Sequence, residues 1–359
     1  MAATIKEVAQ LAGTSGAAVS ATLNGSRSKS IRVSAKTRER IYAAAAQLGY
    51  LPNPVARSLA TGRSRVLGLM LPYVEAFTDH NPFCAQVANG VMAEMVRAHY
   101  NLMLYTGASV LNGAKAAMMV DSRVDGLVLV IPPPDSPVFL KCESRKIPYV
   151  SILRAPVAGA VTVNSDDFRG GQLATEHLIS LGHRRIAHLI GDEDVVTSRP
   201  RLEGYRRALA ESGLPLDDSL VLQAGFDWKH GYAAAKGILA MPASKRPTAI
   251  FAANDLCAEG AMRAIREAGA SIPDDFAIVG YDDTFFATMT QPALTSVRMP
   301  IEELGETAVR LLVNLVEGKA IADPNPVLPV SLSIRASCGA AKAGLTPPSL
   351  SGINEDTYV

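Results

Sequence analysis

The sequence lacks the short motifs that mark common enzyme active sites. Its 359 residues contain no G-x-G-x-x-G, P-loop, H-E-x-x-H or G-x-S-x-G, the motifs of dinucleotide, nucleotide, zinc-protease and serine-hydrolase sites. His177 and His183 lie near predicted helix ends without a paired nucleophile, so we expect structural roles for both. These absences argue against an enzyme, and we expect no catalytic residue, metal or cofactor.

Cysteines are few, and long hydrophobic runs are missing. The four cysteines are far apart and form no C-x-x-C pair, so they predict neither a zinc site nor a disulfide framework but reduced, mostly buried thiols. No apolar stretch approaches the roughly 18 residues that a membrane span needs, and no signal-peptide pattern precedes the first helix. We therefore expect a cytoplasmic protein with no membrane partner.

Charge is unevenly distributed along a chain whose net charge is only +1. Residues 1–65 contain ten Lys and Arg against two Asp and Glu, whereas the remaining residues contain 25 against 32. A basic segment attached to an acidic body suggests a polyanionic partner for that segment alone. A basic face that is merely solvated is the alternative that charge leaves open.

The first 50 residues predict three short helices. Thr4 and Glu7 have the spacing of a capping box at the start of the first helix. Ser15 can cap a second helix that ends at Asn24, and Ser34 can cap a third. Two short helices across a tight turn form a helix-turn-helix. The basic charge favours nucleic-acid binding over any other compact three-helix domain.

The third helix is predicted to turn Ile41 and Leu48 inward. After it, Asn53 and Pro54 have the pattern of an N-cap followed by proline in the first helical turn. Only about six residues follow before Thr61, and a helix that short is marginal alone in water. We therefore expect this segment to need a partner in order to fold.

From Val66 onward, short apolar runs alternate with helical stretches. Seven runs are strand candidates, at residues 66–72, 101–106, 126–132, 148–153, 185–191, 248–254 and 276–282. Continuous apolar strands interleaved with helices predict parallel sheets covered on both faces. The length of this region favours two doubly wound halves, with a ligand cleft at the carboxyl ends of their strands. The fold class is therefore α/β.

Several motifs occur together in an order that resembles one known family, the lac-repressor (LacI/GalR) family of bacterial transcription regulators. They are "TIKEVAQLAG", "AVSATLNG", "VSAKTRERI", "LGYLPNPVARSLATGRS", "LATEHLISLGHRRIAHLIG", "SRPRLEGYRRAL", "FAANDLCAEGAMRAI", "VGYDD" and "PALTSVRMP". The resemblance implies a homodimer that binds pseudo-palindromic operator DNA and a small effector. It also implies a helix-turn-helix domain over 1–50, a hinge helix and linker over 51–65, and a periplasmic-binding-protein-like effector domain of two subdomains over 66–341. We expect a disordered tail over 342–359, and its lack of a leucine heptad favours dimers.

The resemblance assigns DNA contacts to the head and the hinge. The positions that hold phosphates in the family correspond to Thr4, Ser15, Ser20 and Asn24, and the main base-reading positions correspond to Gly16, Ala17 and Ala21. None of the last three can make a bidentate hydrogen bond to a base. Sequence information is therefore expected to shift to the hinge, where the matching residues are Asn53, Ala56, Arg57 and Leu59. Leu59 would insert between base steps of the minor groove and kink the duplex.

The resemblance also assigns effector-binding residues. Arg201, Asn254 and Asp282 would bind polar groups, Phe226 would stack on the ligand, and Phe83, with its neighbours Asn81 and Pro82, would form the opposite wall. Surface pairing of Arg201, a turn role for Asp282 and core packing of Phe226 are the alternatives. Leu153 stands where many sugar-binding relatives have Asp, so a sugar or sugar derivative is favoured but a nucleoside or acidic metabolite stays open. We expect a repressor of a catabolic or transport operon rather than an enzyme or a transporter's solute-binding protein.

Overall fold

The structure is a computed structural model that describes residues 3–24, 32–51, 58, 62–72, 82–105, 118, 120–121 and 123–340. Three helices form its N-terminal head: α1 (Ile5–Leu11), α2 (Gly16–Asn24) and α3 (Ala35–Gln47). The side chains of Thr4 and Glu7 form the predicted capping box. This part of the prediction is confirmed, including the caps at Ser15 and Ser34.

The head has its own small core. The buried residues that form it are Val8, Ala9, Ala12, Ala18, Val19, Ile41, Ala44 and Ala45. The prediction that Leu48 faces inward is wrong, because its exposed fraction is 37%. Leu48 is seven residues after Ile41, but α3 ends at Gln47, so Leu48 is the C-cap and lies beyond the last helical turn.

The body begins with a strand-helix succession over residues 66–165. Its elements are β1 (Val66–Met70), α4 (Pro82–Arg97), β2 (Asn101–Tyr105), β3 (Gly126–Val130), α5 (Pro137–Arg145), β4 (Tyr149–Ile152) and β5 (Thr162–Ser165). All five residues of β3 are buried, because helices cover both faces of such a sheet.

The second half repeats this alternation. Its elements are α6 (Asp167–Ser180), β6 (Ile186–Ile190), α7 (Ser198–Glu211), β7 (Val221–Gln223), α8 (Trp228–Leu239), β8 (Ala249–Ala252), α9 (Asp255–Glu267), β9 (Ala277–Asp282), α10 (Phe285–Met289), β10 (Thr295–Arg298), α11 (Ile301–Glu317), β11 (Val327–Leu328) and β12 (Ser331–Ser333). All seven predicted strands are present.

The strands form two six-stranded sheets, in the orders β11-β5-β4-β3-β1-β2 and β12-β10-β9-β8-β6-β7. Every pairing is parallel except that of β12 with β10. The chain crosses between the sheets after β5, after β10 and after β11. The first sheet with α4, α5 and α11 is called the N-subdomain, and the second with α6 to α10 is called the C-subdomain. The predicted architecture of two doubly wound halves is confirmed.

Helix α11 joins the two halves and returns to pack on α4 of the N-subdomain. The two helices approach closely at Gly90, where an added Cβ atom would lie 1.9 Å from the carbonyl oxygen of Glu302. A glycine is therefore required at this crossing.

The described residues contain no helix with the length and apolar composition that a membrane span requires. All four cysteines are buried, as the sequence predicted, and none is in a disulfide bond. Burial raises the pKa of the Cys142 and Cys257 thiols to about 12.

Candidate functional site

A pocket lies between the two subdomains, at the carboxyl ends of their strands. Its volume is about 640 Å³, including the part that is open to solvent. All five residues predicted to bind an effector line it: Phe83, Arg201, Phe226, Asn254 and Asp282. Within the part of the chain that the structure describes, no cluster of side chains could hold a metal ion.

Arg201, on α7, is the buried cation of the pocket, with a side chain only 4% exposed. Its Nε donates to a carboxylate oxygen of Asp167 over 2.8 Å, and its Nη1 donates to the carbonyl oxygen of Ala253 over 2.7 Å. Its Nη2 lies 3.9 Å from Oδ1 of Asp282. Arg201 is thus not a surface ion pair, and it keeps donors toward the pocket because a guanidinium has five N–H groups.

Two aromatic rings flank the guanidinium of Arg201. Its central carbon lies 3.6 Å from the ring centre of Tyr281 and 6.0 Å from that of Phe226. Burial by itself lowers the pKa of Arg201, but the charge of Asp167 and the nearby Tyr281 and Asp282 outweigh it and raise that pKa above its ordinary value. Arg201 is therefore charged at any physiological pH.

Asp282 and Asp255 lie together on the C-subdomain wall of the pocket. Burial raises the pKa of Asp282 well above its ordinary value against the opposing charge of Arg201, and Asp255 and Asp167 add to the increase. Burial also raises the pKa of Asp255, although hydrogen bonds from Ser296 and Thr284 oppose the change. Burial therefore favours the neutral form of both carboxyl groups.

Asn254 and Phe226 are linked to each other. The side-chain oxygen of Asn254 caps α9 by accepting from the Cys257 N–H over 2.8 Å, and its amide nitrogen donates to the Phe226 carbonyl over 3.0 Å. One amide N–H of Asn254 remains for a ligand. The ring of Phe226 lies against Gly191, where an added Cβ would be 2.2 Å from the ring. Gly191 thus makes the space that this ring occupies.

The pocket also contains Ile131, which the sequence did not single out, and Leu153, which the sequence marked only as a departure from the pattern of sugar-binding relatives. Each directly follows a strand of the first sheet, and each has a positive φ, 45° and 54° respectively. Asp282, at the end of β9, has a φ of 98°. A left-handed backbone is unusual for non-glycine residues and concentrates at functional sites. All three residues lie at the carboxyl end of a predicted strand, and that position was the signal that could have found Ile131 and Leu153.

The second helix of the head presents small side chains on its open face. Thr4, Ser15 and Ala17 are exposed, and Gly16, Ser20 and Ala21 are half-buried. The opposite face, with Ala18 and Val19, packs into the core of the head. Asn24 ends α2, but its side chain lies outside the described residues, as do Asn53, Ala56, Arg57, Leu59 and Asn81.

A helix-turn-helix head joined to a two-subdomain body with a ligand pocket defines a ligand-responsive DNA-binding regulator. Comparison with known proteins supports the same class. Residues 4–53 match the family of bacterial regulatory proteins of the lacI family, and residues 175–338 match the periplasmic binding protein-like domain.

Relatives and solved structures cover nearly the whole chain. The HTH-type transcriptional regulator CelR of Thermobifida fusca is 35% identical over 340 residues, which are 93% of this chain and 98% of that protein. A CelR–cellobiose complex has a TM-score of 0.71 at 33% identity, covering 93% of this chain and 99% of that chain. The lac repressor dimer bound to operator and the anti-inducer ONPF has a TM-score of 0.80 at 29% identity, and the match covers 94% of this chain and 99% of that chain.

The chain belongs to the LacI family of bacterial transcriptional regulators. This is a family of DNA-binding regulators and not of enzymes, so the class predicted from the sequence is confirmed.

Proposed function

We propose that this protein is a homodimeric cytoplasmic repressor of a catabolic or transport operon, whose affinity for a pseudo-palindromic operator is set by a small effector. The observation that carries the proposal is the convergence of Phe83, Arg201, Phe226, Asn254 and Asp282 on one pocket between subdomains. An effector with different affinities for two arrangements of the subdomains shifts the protein between them.

The effector domain extends over residues 66–341, and its effector is a sugar or sugar derivative. Arg201 and Asn254 each have N–H groups beyond those that donate within the protein. Asp282, whose Oδ1 lies 3.9 Å from Nη2 of Arg201, supplies an acceptor in the same pocket. Donors beside an acceptor suit hydroxyl groups, since each hydroxyl both donates and accepts. CelR, solved with cellobiose, is a relative with a bound sugar.

Operator contacts fall to the head over residues 1–50 and to the hinge over 51–65. Hydroxyls of Thr4, Ser15 and Ser20 and the amide of Asn24 hold phosphates, which fixes the register on the duplex. The small residues Gly16, Ala17 and Ala21 let α2 approach the major groove closely. In the hinge, Asn53, Ala56 and Arg57 flank Leu59, which opens a minor-groove step.

A second copy of the chain is the partner that the exposed apolar side chains favour. Met92 and Val96 on α4 are 43% and 74% exposed, and Phe285 and Met289 on α10 are 56% and 68% exposed. Clusters of large exposed apolar residues mark interaction surfaces. The lac repressor was solved as a dimer on its operator.

Selection from a random duplex library with the full-length protein tests the operator proposal. We expect a pseudo-palindrome to be enriched, because a two-fold symmetric dimer presents two recognition helices to two half-sites. Leu59→Ala should weaken that enrichment strongly, whereas Leu140→Ala, at a leucine of α5 that is 73% exposed, should leave it intact. Binding without any sequence preference, or equal effects of the two variants, would contradict the proposal.

A further inference from the structure

One buried carboxyl group of the pocket wall holds the start of helix α10. Asp255, the first residue of α9, lines the pocket and is 2% exposed. One of its carboxyl oxygens accepts from the Thr284 N–H over 2.7 Å and from the Thr284 hydroxyl over 3.0 Å. The other oxygen accepts from the hydroxyl of Ser296 on β10. Asp255 thus bonds both to the residue that precedes α10 and to the strand that follows this helix.

The side chain of Thr284 bonds to Asp255 rather than to its own helix. Thr284 is the N-cap residue of α10, yet within the described structure its side chain makes no capping bond to that helix. A helix of five residues is marginal by itself in water, so α10 depends on contacts outside the helix. Its middle is held by Ala287, which is buried and whose carbonyl oxygen accepts from the Leu294 N–H over 2.7 Å. Its beginning is held by Asp255.

The outer face of α10 is apolar. Phe285 and Met289 are four residues apart, and residues with this spacing lie on the same face of a helix. The ring of Phe286 lies beside that of Phe285, with 4.2 Å between the ring centres. Phe285 and Met289 belong to the surface that we propose to meet the second copy of the chain. The helix that carries this surface begins directly after Thr284, which lines the pocket.

We propose that Asp255 is a positioning residue for the subunit interface, which fixes α10 through Thr284 and so makes the strength of the dimer depend on the pocket wall. The inference rests on the proposed homodimer and adds a route of regulation to it. Residues that are ordered before association lose less entropy when a complex forms. A ligand that changes the bonds of Asp255 therefore changes the affinity between subunits, and the same coupling acts in reverse.

Subunit exchange of the full-length protein measures this coupling without a ligand. Two batches are labelled at the amino terminus, one with a fluorescence donor and one with an acceptor. After mixing, the rise in energy transfer gives the rate of dimer dissociation, in which changes to one interface mainly appear. Asp255→Ala removes the acceptor of both Thr284 bonds. Exchange should become about 10-fold faster, since buried hydrogen bonds of this kind contribute that much to an equilibrium.

Matched variants show whether the effect passes through Thr284. Thr284→Ser keeps both donors and should exchange at the wild-type rate. Thr284→Val loses only the hydroxyl donor and should give an intermediate rate, and it carries the test if Asp255→Ala does not fold. Hydrogen exchange of the amides of residues 284–289 should be faster in Asp255→Ala than in wild type, because the start of α10 is released.

Tyr205→Phe is the control for the loss of a buried hydrogen bond elsewhere in the C-subdomain. Tyr205, on α7, is 1% exposed, and its hydroxyl donates to the Ile186 carbonyl of β6 over 2.8 Å. This variant should exchange subunits at the wild-type rate, because its lost bond does not hold α10.

The outcomes separate this inference from the proposed function. A wild-type exchange rate in a folded Asp255→Ala variant, or equal acceleration in Tyr205→Phe, would overturn the inference and leave the homodimer in place. Phe285→Ala tests the surface itself, and a wild-type rate in that variant would remove α10 from the interface and the inference with it. Wild-type protein that sediments only as a monomer would contradict the homodimer and the inference together.

Discussion

Replacing Asp125 with asparagine should release the linker that joins the head to the body. Asp125 directly precedes β3, and its carboxylate accepts hydrogen bonds from the Ser64 N–H, the Ser64 hydroxyl and the Arg65 N–H, at 2.7, 2.9 and 2.9 Å. Strand β3 then runs to Ile131 in the pocket. One strand thus connects the pocket wall to the linker.

Helix α11 makes a second connection of the same kind. It begins two residues after Met299, which lines the pocket, and near its end the carbonyl oxygen of Val316 accepts from Arg63 over 3.0 Å. Through these two connections we expect movement of the pocket wall to reach residues 63–65.

The size of the Asp125 effect follows from its hydrogen bonds. A hydrogen bond to a charged group contributes about 1.5–3 kcal/mol, and an asparagine oxygen can retain part of the three bonds. With half-buried partners, we expect the free energy of local linker opening to fall by about 2 kcal/mol, which is about 30-fold in opening equilibrium.

Hydrogen exchange and operator binding together measure this prediction. Amides of residues 64–66 should exchange about 30-fold faster in Asp125→Asn, and the effector-dependent change in operator affinity should shrink while effector affinity stays the same. Asp121→Asn is the matched control, since Asp121 bonds only to the exposed Arg123 in the described structure. Unchanged exchange in Asp125→Asn, or equal effects of both variants, would refute the reasoning.

Four further predictions follow from packing, capping and titration. Gly90→Ala should destabilise the protein by about 1–3 kcal/mol, because the added Cβ would overlap the facing helix. Gly237→Ala, in α8 with open space around it, should stabilise the protein by up to about 1 kcal/mol. Urea unfolding of the two variants measures both changes. Thr4→Ala should cost the head about 1 kcal/mol through loss of its capping box, seen as a lower melting temperature of the head. Burial lowers the pKa of His188 to about 4. Because the unfolded chain takes up the proton at a higher pH than the folded protein, the free energy of unfolding should fall by about 3 kcal/mol between pH 6.5 and 4. His188→Phe should flatten this dependence of unfolding free energy on pH, and parallel curves for the two proteins would contradict the prediction. Native protein should show no fast-reacting thiol toward a disulfide reagent, and all four cysteines should react after denaturation.

Much of the fold could be predicted from the sequence because buried parallel strands are continuous apolar runs. The strands that were missed are short or polar, such as β5 (Thr162–Ser165) and β10 (Thr295–Arg298). β5 and β10 each end just before the chain crosses to the other sheet. Neither strand contains an apolar run or an alternating pattern that would predict it. A two-residue strand such as β11 carries no pattern at all.

The pocket was predictable in part for a different reason. Two of its polar residues, Asn254 and Asp282, are the last residues of predicted strands, and the carboxyl ends of parallel strands meet at one edge. The burial of Arg201 could not be read locally, because its partners Asp167 and Ala253 are 34 and 52 residues away. The left-handed backbone at Ile131 and Leu153 likewise depends on tertiary contacts, since neither residue type favours it.

A thermodynamic cycle measures whether the pocket controls the affinity of the DNA-binding head for its operator. Operator affinity is measured with and without the sugar that the protein binds most tightly, and the affinity for that sugar is measured with and without the selected operator. We expect two equal ratios that differ clearly from one, because coupling between two sites is reciprocal. Ratios of one in both directions would mean that the pocket and the head act independently, and would contradict this expectation.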